Sequence, residues 1–308
     1  MDFGPHLLLA VLEGGVTAAV LALTAMGLSI VFGVMRVVNV AHGEFYMVGA
    51  VLAWYIATAL GGNPILGFMA AVVIAPLLVG SLAAGVDRLI LRRINYDPER
   101  TIVATIGTLY ILQQTTLMTF GPDPRPVEPP FNSRIALPWF DWNQNGLEFY
   151  YPWGLSITSY KLFVIAAAAV ILITLWFAIT RSKAGLIMRA TQQDSDMAQA
   201  FGIPVKTVYS VVFGLGAGLA AIGAVLVVPI QQAYYLMGHD PLLLAFIVVI
   251  IGGLGSLPGT IIAAILIGMA DSIISVFFTP TLAKIFATLL VATVLVFRPT
   301  GLMGKSTA

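Results

Sequence analysis

The chain has no cysteine among its 308 residues, which excludes disulfides, thiolate metal sites and thiol nucleophiles together. Charge is nearly as scarce. Asp, Glu, Lys and Arg make up 9% of the sequence, against roughly 25% in an ordinary soluble domain. Between Thr207 and Phe297 the only formally charged side chains are Asp240, Asp271 and Lys284, and a soluble domain could not hide that much apolar chain. His6, His42 and His239 are the only histidines and lie in separate segments without ligand spacing. His42-Gly43-Glu44 lacks the helical histidine pair of a zinc protease, and no glycine-rich stretch ends in the Gly-Lys-Ser/Thr of a phosphate loop. A net charge of +1 is too small to attract nucleic acid. The expectation is a chain that is not an enzyme and binds no cofactor of its own.

What is abundant is apolar surface. Hydrophobic types reach 59% and mean hydropathy is +0.97, so the bilayer is the solvent. Apolar segments run over 7–31, 45–60, 65–86, 101–120, 161–179, 207–229, 242–278 and 282–297. Backbone satisfaction in lipid demands helices or a closed barrel, and these runs are too long for barrel strands. The predicted fold is an all-α polytopic membrane protein of about eight transmembrane helices, forming one transmembrane domain over 1–308. A signal peptide fits poorly, because Asp2 and Glu13 replace a basic start and 7–31 is long enough to remain as a span.

The cations fall unevenly. Arg36, Arg88, Arg92, Arg93, Arg100, Arg181, Lys183, Arg189, Lys206, Arg298 and Lys305 group on one side, against Arg125, Arg134 and Lys161 on the other. Cationic loops stay cytoplasmic, which predicts an outer N-terminus and an inner C-terminus. The outer loop, 121–159, is rich in proline and aromatics, as in Pro129, Pro130, Trp139, Tyr151 and Trp153. Its plainer reading is a hairpin lying on the membrane; the sharper one is a docking face for an extracytoplasmic partner.

Two breaks interrupt the helical pattern. Phe32 to Glu44 brings Arg36, Asn39, His42, Gly43 and Glu44 against a span. Ile251 to Thr260 brings Gly252, Gly253, Gly255, Ser256 and Gly259 into an apolar stretch. Interrupted segments in corresponding positions predict an inverted repeat with a transport path between its halves. The alternative is that the glycines only allow a tight turn between close helices. Segment 242–278 then either turns twice or re-enters once, and intramembrane Asp271 calls for a partner, for which Lys284 is a geometric candidate.

On the cationic side, 181–206 reads RSKAGLIMRATQQDSDMAQAFGIPVK. Asp194 is placed to cap a short helix from Ser195 to Phe201, and Gly202 to end it before Pro204. Such a helix is either a docking feature or an ordinary surface helix.

The stretches NVAHGEFYMVGA (39–50), GLIMRATQQDSDMAQAFGI (185–203), GGLGSLPGT (252–260) and RPTGLMG (298–304) together resemble the smaller permease subunit of bacterial branched-chain amino acid ABC importers. The resemblance covers nearly the whole chain. It implies an inner-membrane permease paired with a second permease subunit, two cytoplasmic ATPases that hold ATP and magnesium, and a periplasmic binding protein that delivers substrate. It also implies that 190–202 couples to an ATPase groove, through Ala190, Asp194, Asp196, Met197, Ala200, Phe201 and Gly202. Asn39, His42, Gly43, Glu44 and the Gly252–Gly259 residues would flank the substrate pathway, which would alternate between outward and inward openings. Relatives carrying amides, urea or other small solutes leave the substrate open. A secondary transporter or channel is a rival, but it would need ionisable residues along a coupling path, and the long apolar half offers only Asp271.

Overall fold

The structure, a computed structural model, describes residues 3–61, 63–143, 146–151, 156–298 and 300–304. Trp153 and Lys305, cited above for the interface and the cationic tail, lie outside them. The described helices are α1 (Phe3–Met35), α2 (His42–Ala59), α3 (Pro64–Leu89), α4 (Pro98–Phe120), α5 (Ser159–Arg181), α6 (Lys183–Gln193), α7 (Ser195–Ala200), α8 (Val205–Gln231), α9 (His239–Gly252), α10 (Leu257–Phe277) and α11 (Pro280–Phe297). Six helical segments, those of α1, α3, α5, α8, α10 and α11, are long and apolar enough to cross a membrane. The chain is an all-α, multi-pass membrane protein. The predicted 242–278 segment resolves into two helices, α9 and α10, joined by one turn at 253–256, and the shorter α9 is not among the six.

Helix starts follow from local chemistry. Asn63, Asp97 and Thr279 each accept a hydrogen bond from a first-turn amide, and each is followed by Pro at the first helical position. The side chain satisfies an orphan N–H while proline supplies a preset φ and lacks the N–H that would otherwise go unpaired.

The centre is built on α1 and α8, which are buried along most of their lengths and run antiparallel. Gly27 meets Gly216 and Thr24 meets Gly223. Side chains as small as these let the backbones touch, and in lipid that dispersion contact replaces the missing hydrophobic drive between helices. Around this pair the contacts are exchanged in an orderly way. α1 packs on α10 as α8 packs on α3, α1 on α9 as α8 on α2, α2 on α3 as α9 on α10, and α2 on α4 as α9 on α11. The elements α1–α4 and α8–α11 are therefore equivalent and inverted, since α1 and α8 are antiparallel. This bears out the inverted repeat but corrects its register: the counterpart of the break before α2 is the segment 232–238 before α9, not the glycine-rich 252–259.

The outer loop forms short antiparallel ladders. Strand β1 (Arg134–Ala136) pairs with β4 (Ser156–Thr158), and β2 (Trp139–Asn143) with β3 (Gly146–Tyr150). The same end of the bundle holds an ion pair between Lys161 and Glu13 and the Arg125 guanidinium, 5.1 Å from the centre of the Trp54 ring.

Candidate functional site

The first break places polar groups deep in the bundle. Arg36 adopts a left-handed φ of 55° that turns the chain at the end of α1, and residues 36–41 run back along that helix before α2 begins. His42 Nε2 lies 2.9 Å from the Thr24 carbonyl, and Thr24 is about 16 Å of helix before Met35. A carbonyl only accepts, so Nε2 carries the proton and Nδ1 presents a lone pair. That lone pair has no partner among the described residues. Asn39 Oδ1 accepts from the Ala41 amide at 3.1 Å, closing a local turn that leads into α2, while its Nδ2 is unpartnered. Glu44, in the first turn of α2, is 1% exposed, and its carboxylate receives no hydrogen bond from the described groups.

The second half brings its own broken helix to the same place. His239 opens α9, and its Nε2 stands 3.5 Å from Glu44 Oε1. Gly43 and Gly238 press backbone to backbone; a Cβ on Gly43 would meet the Gly238 carbonyl and lie 2.8 Å from Leu242 Cβ. Two half-helix N-termini thus converge near mid-bundle. The positive ends of both helix dipoles point at this spot and favour negative charge there. His239 and Gly238 were not singled out in the sequence. The signal that could have found them is the Gly-His step after Gln231–Met237, which mirrors the His-Gly step of the first break.

The glycine-rich break lies elsewhere. Gly255 Cα would sit 3.1 Å from a Cβ on Gly33, within the last turn of α1 and about 13 Å below Thr24. The structure therefore does not bring Asn39, His42, Gly43 and Glu44 together with Gly252, Gly253, Gly255, Ser256 and Gly259. The latter form a tight turn between α9 and α10. Gly253 and Gly255 have φ of 99° and 78°, a region that disfavours side chains, and Ser256 Oγ caps α10 by accepting from the Gly259 amide at 3.3 Å. The terminal motif closes the turn: Leu302 N donates to Ile251 O at 2.7 Å and Met303 N to Gly252 O at 3.2 Å. The Ile251 and Gly252 carbonyls at this depth are thus paired within the chain. Lys284 is also corrected, since its Nζ is 2.8 Å from Asp240 Oδ1 and Asp240, not Asp271, is its ion-pair partner.

The arm at the other side of that turn is well defined. Ser182 Oγ accepts from the Gly185 amide at 3.0 Å to cap α6, and the Arg189 guanidinium donates to the Ile179 carbonyl. Asp194 Oδ1 accepts from Asp196 N and Met197 N at 3.0 and 2.9 Å, the expected cap. Gly202, with φ of 84°, ends α7: its amide donates to Gln199 O and that of Ile203 to Ala198 O, satisfying the last carbonyls. Phe201 is 81% and Met197 54% exposed, with Asp196 and Ala200 also outward and Ala190 half-buried. Gln192 of α6 reaches the point where Gly33 meets Gly255. A cavity of about 20 Å³, also lined by Ser29 and Arg189, is large enough for one water. The arm, the end of α1 and the glycine-rich turn thus meet at one point.

Among known proteins, BraD of Pseudomonas aeruginosa, a high-affinity branched-chain amino acid transport system permease protein, is 28% identical over 312 residues, covering 97% of this chain and 96% of its own. LivH of Escherichia coli K12, described in the same words, is 28% identical over 302 residues, covering 92% of this chain and 91% of its own. A solved structure, PsaBC from Streptococcus pneumoniae in complex with Fab, superposes with a TM-score of 0.48 at 11% identity, covering 92% of this chain and 90% of that one. The family described as branched-chain amino acid transport system / permease component matches residues 10–295, and the chain belongs to that family.

Proposed function

We propose that this chain is the membrane-spanning permease subunit of an ATP-binding-cassette importer, and that it moves branched-chain or similar small hydrophobic amino acids across a bacterial inner membrane. The observation that carries the reading is the family match over 10–295, and the geometry is suited to it. In this reading the whole chain acts as one domain with its N-terminus outside and C-terminus inside. It pairs with a second permease subunit, takes substrate from a periplasmic binding protein at the 121–159 face, and is driven by two ATPase subunits that hold ATP and magnesium.

The exposed Met197 and Phe201 are the anchors an ATPase groove would grip, held out on a helix capped at both ends. Movement of that arm passes through Gln192 to Gly33 and Gly255. It therefore tilts α1 and α10 against α8 and α3, a rigid-body route to alternating access. At mid-membrane Glu44, which accepts no hydrogen bond from the described groups, suits an ammonium group, while Asn39 Nδ2 and the positive ends of the α2 and α9 dipoles suit a carboxylate. An aliphatic side chain needs only the apolar walls.

The test is ATP-dependent uptake of leucine, isoleucine and valine into proteoliposomes holding the permease pair and ATPases, with the cognate binding protein added. Uptake of at least one is expected. Uptake of amides or urea with none of the three would move the substrate class, and uptake independent of ATPase subunits would refute the importer reading.

A further inference from the structure

A groove of about 640 Å³ runs between α3, α5 and α8 on the membrane-facing side. Its floor forms where α3 and α8 close on each other through Gly80 and Gly214, while α5 packs chiefly on α1 and leaves a wedge. The walls are apolar and open to the side: Leu77 is 68%, Val170 63% and Val211 51% exposed. From Ile222 to Ser210 on α8 the lining spans roughly 18 Å, about the depth of one leaflet and well short of the ~30 Å hydrocarbon core. A transmembrane helix of another subunit would need the full depth.

At one end of the groove each wall helix carries a cation one turn past its last lining residue. Arg88 follows Ala84, Arg181 follows Ala178, and Lys206 precedes Ser210. Spacings of three and four keep each cation on the lining face. All three are exposed and, among the described residues, none makes an ion pair. Asp87, buried with its carboxylate on the Ser210 hydroxyl at 2.5 Å, is the acidic group beside them.

We propose that this groove binds an anionic phospholipid of the leaflet at the cationic end, with an acyl chain along α3, α5 and α8 and the phosphate held by Arg88, Arg181 and Lys206. Charge complementarity and half-bilayer length select this occupant; basic pockets between membrane helices hold such headgroups.

The test is native mass spectrometry of the full chain, purified in mild detergent with the subunits that stay bound, and titrated with dioleoyl-phosphatidylglycerol or dioleoyl-phosphatidylcholine. The glycerol lipid should bind at least tenfold more tightly. That preference should vanish in the Arg88→Gln, Arg181→Gln, Lys206→Gln variant and persist in Arg93→Gln, Arg100→Gln, Arg298→Gln, which removes equal charge away from the groove. Absence of the preference, or equal loss in both variants, would show only diffuse surface charge and overturn the proposal. A photoreactive label on Thr174→Cys, unique in a chain without cysteine, should capture lipid in the membrane. Capture of a permease chain instead would assign the groove to a protein interface.

Discussion

Adding one methyl group at Gly43 should separate the two half-helices. A Cβ there meets the Gly238 carbonyl and stands 2.8 Å from Leu242 Cβ, and one on Gly238 meets the Gly43 carbonyl and stands 3.2 Å from Glu44 N. Neither position has positive φ, so the effect is packing alone. Overpacking of this kind costs about 1–3 kcal/mol; alanine's better helix propensity returns up to about 1 kcal/mol at Gly43. Gly43→Ala should therefore destabilise by about 1–2 kcal/mol, and Gly238→Ala by about as much. Both methyls strain one contact, so once α2 and α9 have moved apart for the first, the second costs less. The double variant should fall short of the sum by at least ~0.5 kcal/mol. Thermal unfolding in detergent measures this, at about 2–4 °C per kcal/mol for chains approaching this length. Gly85→Ala and Gly107→Ala serve as controls, because a Cβ at either meets nothing within 4 Å, and both should be neutral or slightly stabilising. Uptake should fall in the Gly43 and Gly238 variants and not in the controls. Effects all within ~0.5 kcal/mol, or strict additivity, would refute the claim that the half-helix starts are packed against each other.

Single cysteines at exposed Ile135 and Gln199 should react oppositely with an impermeant reagent, the first in intact cells and the second only after the membrane is opened; the reverse would overturn the orientation. Phe201→Ala and Met197→Asp, at 81% and 54% exposed positions, should leave thermal stability within ~0.5 kcal/mol yet weaken ATPase co-purification, and unchanged co-purification with normal uptake would remove this helix from the coupling role. Asp194→Ala loses a cap worth about 1 kcal/mol and should loosen α7 with a smaller transport defect, checked by ATPase rate against uptake rate. Truncation after Arg298 strips partners from the Ile251 and Gly252 carbonyls, each costing about 1–3 kcal/mol when left buried; a truncated chain with wild-type melting and uptake would mean the tail does not close the turn.

Much was legible in the linear chain because lipid imposes it locally. Scarce charge and long apolar runs dictate membrane helices, and Asp194 and Gly202 bracket α7 through bonds to residues at most five positions away. Contacts between distant segments were another matter. The glycines of 252–259 and the break before α2 look equivalent in sequence, since both end one apolar run and start another. Only packing shows that the first is a turn sealed by Leu302 and Met303, while the true counterpart of His42-Gly43-Glu44 is the Gly238-His239 start of α9. That equivalence depends on α1 and α8 lying antiparallel through Gly27 and Gly216, a contact between residues 189 positions apart, and no local rule specifies it. For the same reason Lys284 could be matched to Asp271 on the chain, yet it pairs with Asp240, because α11 returns beside the start of α9. The sequence by itself determined solvent, helix ends and the short arm. Which buried polar groups face one another was decided by tertiary packing, where small residues let some backbones meet and keep others apart.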